Sequence, residues 1–153
     1  MTSDLTSPRA RLGRRFAVLA RRWRQVLDAR LTEAGLSAAT WVPLVHLDDM
    51  GDGIAQAELA RRISLDASSL VRLLDILCRQ GLVERRPDPV DGRVRQVVLT
   101  PEGHARVAEI SRELARSEAE LLAGLSDDDI AGMLAGFDKI DLALTAARSP
   151  RQE

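Results

Sequence analysis

Residues 54–99 read IAQAELARRISLDASSLVRLLDILCRQGLVERRPDPVDGRVRQVVL, and the order of patterns in this stretch decides the fold. Ile54 to Ile63 reads as a short helix with Ala57, Leu59, Ala60 and Ile63 inward. A four-residue break, Ser64 to Ala67, follows. Asp66 is placed to cap a second helix, Ala67 to Gln80, in which Leu70, Leu73, Leu74 and Leu77 occupy i, i+3, i+4 and i+7. Gly81 ends it. Leu82 to Arg86 alternates as a strand, Pro87 to Gly92 is dense in turn formers, and Val94 to Leu99 is rich in β-branched residues. A short helix, a tight turn, a longer helix and then a hairpin predict a winged helix-turn-helix whose second helix enters the major groove.

Working outward from this lobe, Leu12, Phe16, Leu19, Ala20, Trp23, Leu27 and Leu31 recur at steps of three and four, predicting a long amphipathic helix over 9–34 closed by Gly35. The lobe is taken to span 37–100. Pro43 leaves two readings of its first helix. Either the helix starts at Ser37 and kinks at Pro43, the reading we favour, or Thr40 is the cap and Pro43 lies in the first turn, where no donor is needed. Beyond the hairpin, Thr100 and Pro101 start one helix and Ser126 with three aspartates starts another, so 101–147 is helical. Residues 1–8 and 148–153 are expected to be disordered. The expected class is mainly α with a small β-hairpin, flanked by terminal helices whose apolar stripes exceed what a lobe of this size covers. A homodimer is the economical partner, and an intramolecular three-helix bundle is the alternative.

Composition narrows the function. In 153 residues there are four aromatic side chains and no Tyr, too few rings for a stacking platform on single strands. The one cysteine, Cys78, excludes an intramolecular disulfide and any Cys-rich zinc site, and a reducing cytoplasm is the expected compartment. Neither His46 nor His104 has metal-ligand spacing, and no phosphate loop, nucleophile elbow or HExxH is present, so neither a metal, a cofactor nor an enzyme activity is expected. Net charge is only −1, but its distribution is uneven. Residues 9–30 carry eight Arg against one acid, 61–95 eight Arg against five acids, and 102–142 ten acids against four basic side chains. Such a division suits a molecule with one side turned toward a polyanion.

Ser68, Arg72, Asp75 and Arg79 share the helix face opposite the leucines and form the candidate reader of double-stranded DNA. Ser69 could donate to a phosphate or a base, and Arg72 could pair with guanine in the bidentate manner. Arg93, beside Asp91 at the hairpin tip, is placed to enter a minor groove, while Arg85, Arg86 and Arg95 suit phosphate contacts or plain surface charge. Arg24 lies beside the buried stripe of the first helix, so it needs a counter-charge. Asp28 one turn on can supply it, or a bound anion held among Trp23, Arg24 and Trp41 can.

The run SLVRLLDILCRQGLVERRPDPVDGRVRQVVLTPEG, Ser69 to Gly103, resembles the core signature of MarR-type transcriptional regulators, most specifically in SLVRLLD, Asp91-x-Arg93 and the LTxxG of Leu99 to Gly103. Through Arg21, Trp23, Arg24, Asp28 and Trp41 to Leu44 it is most similar to the SlyA branch. The resemblance implies a dimeric repressor on a pseudo-palindromic operator, responsive to a small aromatic acid. Pro43 departs from the family pattern. From a different class, the competing expectation is a winged-helix interaction module that does not read sequence.

Overall fold

The computed structural model describes residues 7–51 and 53–148. Six helices and three short strands follow one another as α1 (Pro8–Glu33), α2 (Trp41–Met50), β1 (Ile54–Ala55), α3 (Gln56–Arg62), α4 (Ala67–Arg79), β2 (Val83–Pro87), β3 (Arg95–Leu99), α5 (Pro101–Leu121) and α6 (Asp127–Arg148). The chain divides into two compact units, Met1–Ser117 and Glu118–Glu153.

In the first unit a single aliphatic core joins Leu31 and Leu36, Leu44 and Leu47, Leu59, Leu70, Leu74 and Leu77, Val83 and Val97, and Val107 and Ile110. Three of the four leucines expected inward on α4 are fully buried, and Cys78 packs at the edge of this core as a small hydrophobe. Ser7 starts α1 by accepting the Ala10 N–H, and Pro8 occupies the first turn, where its missing donor is not needed. Pro8 and Arg148, both expected in disordered ends, are thus the first residue of α1 and the last of α6; residues 1–6 and 149–153 lie outside the described residues. Only the C-terminal end of α1 is buried, at Leu27 and Leu31, whereas every residue from 11 to 22 is exposed.

Two readings of local structure are corrected. The helix containing Pro43 begins at Trp41 rather than Ser37, with Thr40 as its N-cap, so the proline falls in the first turn and no kink is required. Ser37 instead closes a turn, its carbonyl accepting the Thr40 N–H at 3.4 Å. Ile54 and Ala55, read as helix, form β1, which pairs antiparallel with β3 at Val97 and Gln96. The two-stranded wing is thus a three-stranded sheet in the order β1-β3-β2. An isolated two-stranded hairpin is marginal in water, and the third strand shields the inner edge of β3. Ala57, expected inward, is exposed in the first turn of α3, whereas Leu59 and Ala60 are buried as expected.

The β2–β3 pairing runs in register from Val83 opposite Leu99 to Pro87 opposite Arg95. At its foot, Thr100 holds three elements together: its hydroxyl donates to the Gly81 carbonyl at 2.6 Å and accepts the Gly103 N–H at 3.0 Å, capping α5. Gly103 is the glycine that geometry requires here, since a Cβ at that position would stand 2.0 Å from the Leu82 carbonyl oxygen.

The second unit contains the end of α5, a turn and α6. Ser126 and Asp129 cap α6 reciprocally: the Ser126 hydroxyl accepts the Asp129 N–H, and the Asp129 carboxylate accepts the Ser126 N–H. Met133, Leu134, Phe137, Ile140, Leu142 and Leu144 on this helix are exposed. No helix among the described residues is long and apolar enough to cross a membrane.

Candidate nucleic-acid interface

The basic block of residues 61–95 sorts into two halves. Arg61 and Arg62 both donate to Glu58, whose carboxyl is lowered to about 2, chiefly by its hydrogen bond from Arg61 and then by that from Arg62. Arg86 donates twice to Glu84 on the same exposed strand face, at 3.0 and 2.8 Å. Arg85 is bound to Asp75. The side chains of Arg72, Arg79, Arg93 and Arg95 have no hydrogen-bond or ion-pair partner among the described residues, and all four are exposed. Two of these stand on α4 and two on the wing. Unpaired guanidiniums are free to meet an outside anion without first breaking an internal bond.

Asp66 makes the N-terminus of α4. One carboxylate oxygen accepts the Ser69 N–H at 2.9 Å and the Ser68 hydroxyl, and the other accepts the Ser69 hydroxyl at 2.7 Å. These bonds, that of Ser68 first, hold the Asp66 carboxyl well below the usual carboxylate range. Both serines expected to donate to DNA therefore have their hydroxyl hydrogens turned to Asp66, and each must release it before giving a bond to a phosphate. Asp66→Ala is expected to lower the melting temperature by a few degrees at neutral pH. Because its folded pKa is depressed, the carboxylate's contribution is complete above the unfolded value of ~3.9 and fades as pH falls through the folded one. Melting curves of parent and variant should converge as the buffer is taken below about pH 4.

The wing tip is organised by Asp88 more than by Asp91. The Asp88 carboxylate accepts the N–H groups of Val90 and Asp91 at 2.7 and 2.9 Å and the Gln96 side-chain amide at 2.6 Å, which lowers its pKa, the Asp91 N–H contributing most. The Asp91 carboxylate accepts the backbone N–H of Arg93 at 3.0 Å and its carbonyl the Val94 N–H at 2.9 Å, and neither takes up the Arg93 guanidinium. Arg93 and Arg95 line a groove of about 370 Å3 with Val94, Ala55 to Ala57, Ala60, Ala67 and Leu70. The wing arginines thus stand beside the start of α3 and of α4, a juxtaposition of residues between 23 and 40 apart in sequence.

Arg85 corrects an expectation. Instead of facing phosphate it points inward, its Nη1 donating to Asp75 at 2.6 Å and its Nη2 to the Val71 carbonyl at 3.2 Å. Asp75, read as part of the same face as Arg72 and Arg79, is thereby engaged by the hairpin. The spacing within α4 suggests only intrahelical partners for Asp75, and a partner supplied by the hairpin has no local signature.

On α1, Arg24 takes Asp28 as counter-charge, Nε to Oδ1 at 2.8 Å. The same carboxylate oxygen accepts the Trp41 indole N–H at 2.7 Å, and the Arg24 guanidinium lies 4.6 Å from the Trp41 ring centroid. Arg24 and Trp41 are brought together, with Asp28 as the member sequence reasoning treated as one alternative. Trp23 is half-buried, and no hydrogen bond or ring contact among the described residues links it to either. His104 meets Asp48 at 3.2 Å, joining α5 to α2. No group of three or more potential metal ligands occurs among the described residues.

The sequence model of the MarR family matches residues 34–94, from the end of α1 to the wing tip. The transcriptional regulator PA3341 is 35% identical, with a TM-score of 0.80 over 88% of this chain and 98% of that one.

The chain belongs to the MarR family.

A serine-for-cysteine variant of MarR from E. coli, complexed with operator DNA, is 29% identical with a TM-score of 0.74, over 90% of this chain and 99% of that one. The transcriptional regulator SlyA shares the fold at a TM-score of 0.75, over 89% of this chain and 95% of that one, with 22% identity. This MarR-family chain accordingly has the winged-helix fold of DNA-binding transcription regulators, mostly helical with one small antiparallel sheet.

Proposed function

We propose that the protein is a homodimeric repressor that reads a pseudo-palindromic operator, α4 lying in the major groove and the wing along the adjacent minor groove. The observation that carries this reading is the set of partner-free guanidiniums, Arg72 and Arg79 on the helix and Arg93 and Arg95 on the hairpin, in a block where every other arginine is paired. Arg72 is assigned to a base edge, Arg93 to the minor groove, and Arg79, Arg95 and Arg86 to phosphates, with Ser68 and Ser69 at the helix entry. Likeness to a MarR bound to operator DNA supports the same partner for this chain. The dimer is proposed from the exposed apolar residues of α1 and α6, and its two α4 helices are expected ~34 Å apart or a near multiple of it. Recovery of genomic fragments on the purified protein, followed by footprinting, tests the proposal; a protected site without dyad symmetry refutes the dimeric reader.

The proposal extends to release by a small anionic aromatic acid held near Trp23, Arg24 and Trp41. Such an acid has to displace Asp28 from Arg24, and it shifts the protein off DNA only by as much as it prefers the unbound geometry. Titration with benzoate- or salicylate-like acids, followed by Trp fluorescence and operator affinity, is expected to weaken the parent's grip. Arg24→Met, which keeps much of the packing and removes the charge, should be unresponsive, and the amide analogue should be a poor effector. An equal response from parent and Arg24→Met places the effector elsewhere.

A further inference from the structure

Arg85 belongs to the wing, yet its guanidinium is fastened to α4. The two atoms it grips, Oδ1 of Asp75 and the carbonyl oxygen of Val71, lie one helical turn apart, beside the reading residue Arg72. Its Nε is buried without a hydrogen-bond partner. An unpartnered buried polar atom is destabilising, and an aliphatic side chain at this position would cover the same surface without that cost. What the guanidinium supplies and a hydrocarbon does not is direction: its two bonds fix an angle between strand and helix, whereas apolar contact fixes only proximity.

The wing is built to transmit that angle. Arg85 stands opposite Val97, and the next rungs, Arg86 opposite Gln96 and Pro87 opposite Arg95, lead directly to the tip. There the Asp88 carboxylate ties Val90, Asp91 and Gln96 together, so a tilt at Arg85 carries Arg93 with it.

We propose that Arg85 and Asp75 are positioning residues that set the wing against α4, so that Arg72 and Arg93 meet DNA at one fixed separation. The pair is then a specificity determinant for the spacing between the base read in the major groove and the tract read in the minor groove. This inference rests on the DNA reading proposed above.

The test is a cycle between Asp75→Asn, which removes the charge and keeps the shape, and Arg93→Ala, measured on operator DNA with Arg72→Ala as a separate control. Asp75→Asn is expected to weaken operator binding about tenfold, in the range of a charge-assisted bond. In that background Arg93→Ala should weaken binding by less than about threefold, because a misaligned wing has little left to lose. Asp75→Asn should also accept an operator with one base pair inserted between the two tracts better, relative to the parent operator, than the parent protein does. A readout without DNA accompanies it: spin labels at Val90→Cys and Gln80→Cys in a Cys78→Ser background, with labelled chains diluted in unlabelled ones. The distance distribution should be narrow in the parent and broad in Asp75→Asn. Effects that multiply independently, or an unchanged distribution, overturn the proposal. If Asp75→Asn is silent while Arg72→Ala weakens binding, the positioning role fails and the DNA reading stands. If Arg72→Ala is silent as well, the DNA reading fails and takes this inference with it.

Discussion

A chain ended at Leu125, lacking α6, is expected to sediment as a monomer and to lose ~10²–10⁴-fold in operator affinity, since each half-site then binds without the gain of a tethered second contact. The reason lies in two exposed apolar surfaces. Over the first four turns of α1, Leu12, Phe16 and Leu19 recur on one face and all are exposed. On α6, Met133, Leu134, Phe137, Ile140 and Leu144 do the same. Apolar area of this extent contributes roughly 25 cal/mol per Å2 when removed from water, and a monomer that left it exposed would be prone to association. The lobe should survive the truncation, because the core from Leu31 to Ile110 is assembled within residues 31–110. Sedimentation of the truncated chain decides the matter; persistence of the dimer would move the interface to other elements.

The second large effect is expected at the reading residues, and the two arginines should fail in different ways. Arg72→Ala should cost about 1–3 kcal/mol and relax preference at a single base pair, the signature of a lost bidentate contact to a base edge. Arg93→Ala should weaken binding in proportion to the A·T content of the flanking tract, because a cation in the minor groove senses groove width more than base identity. Arg86→Ala should weaken binding only modestly and equally on every sequence, the pattern of a phosphate contact whose charge is already partly met by Glu84. A panel of operators with single substitutions, titrated at one salt concentration, separates these patterns; equal losses on operator and random DNA for Arg72→Ala would demote it to a phosphate contact.

Much of this site was legible because its signals are local. Asp66 as the cap of α4, the leucine face that turns Arg72 and Arg79 outward, and the PDPVDG turn that carries Arg93 are all set within four or five residues of themselves. The engagement of the serines was less legible: Asp66, two residues before Ser68 and three before Ser69, reads as a cap for the backbone alone, whereas it also accepts both hydroxyls. Asp88 was passed over in favour of Asp91, although an aspartate followed two and three residues on by free N–H groups is itself a turn signature.

What the sequence by itself determined is whatever depends on period and on neighbours in the chain: the helices of the lobe, the caps at Asp66, Thr100 and Ser126, the hairpin and the excess of apolar surface on the terminal helices. Tertiary structure alone decided which partners polar groups take from other elements. Pro43 could be accommodated in two ways by local rules, and burial of Leu44 and Leu47 around it accompanies the shorter helix. Ile54 and Ala55 have helical neighbours, but the open edge of β3 offers them hydrogen bonds from forty residues away. Arg85 and Asp75 are ten residues apart and Asp28 and Trp41 thirteen, each pair joined by a bond that no spacing rule predicts. Periodicity tells a residue which way to face, because the backbone repeats; it does not tell a charge whom to meet, because that depends on which element is packed opposite, and packing is a property of the whole chain.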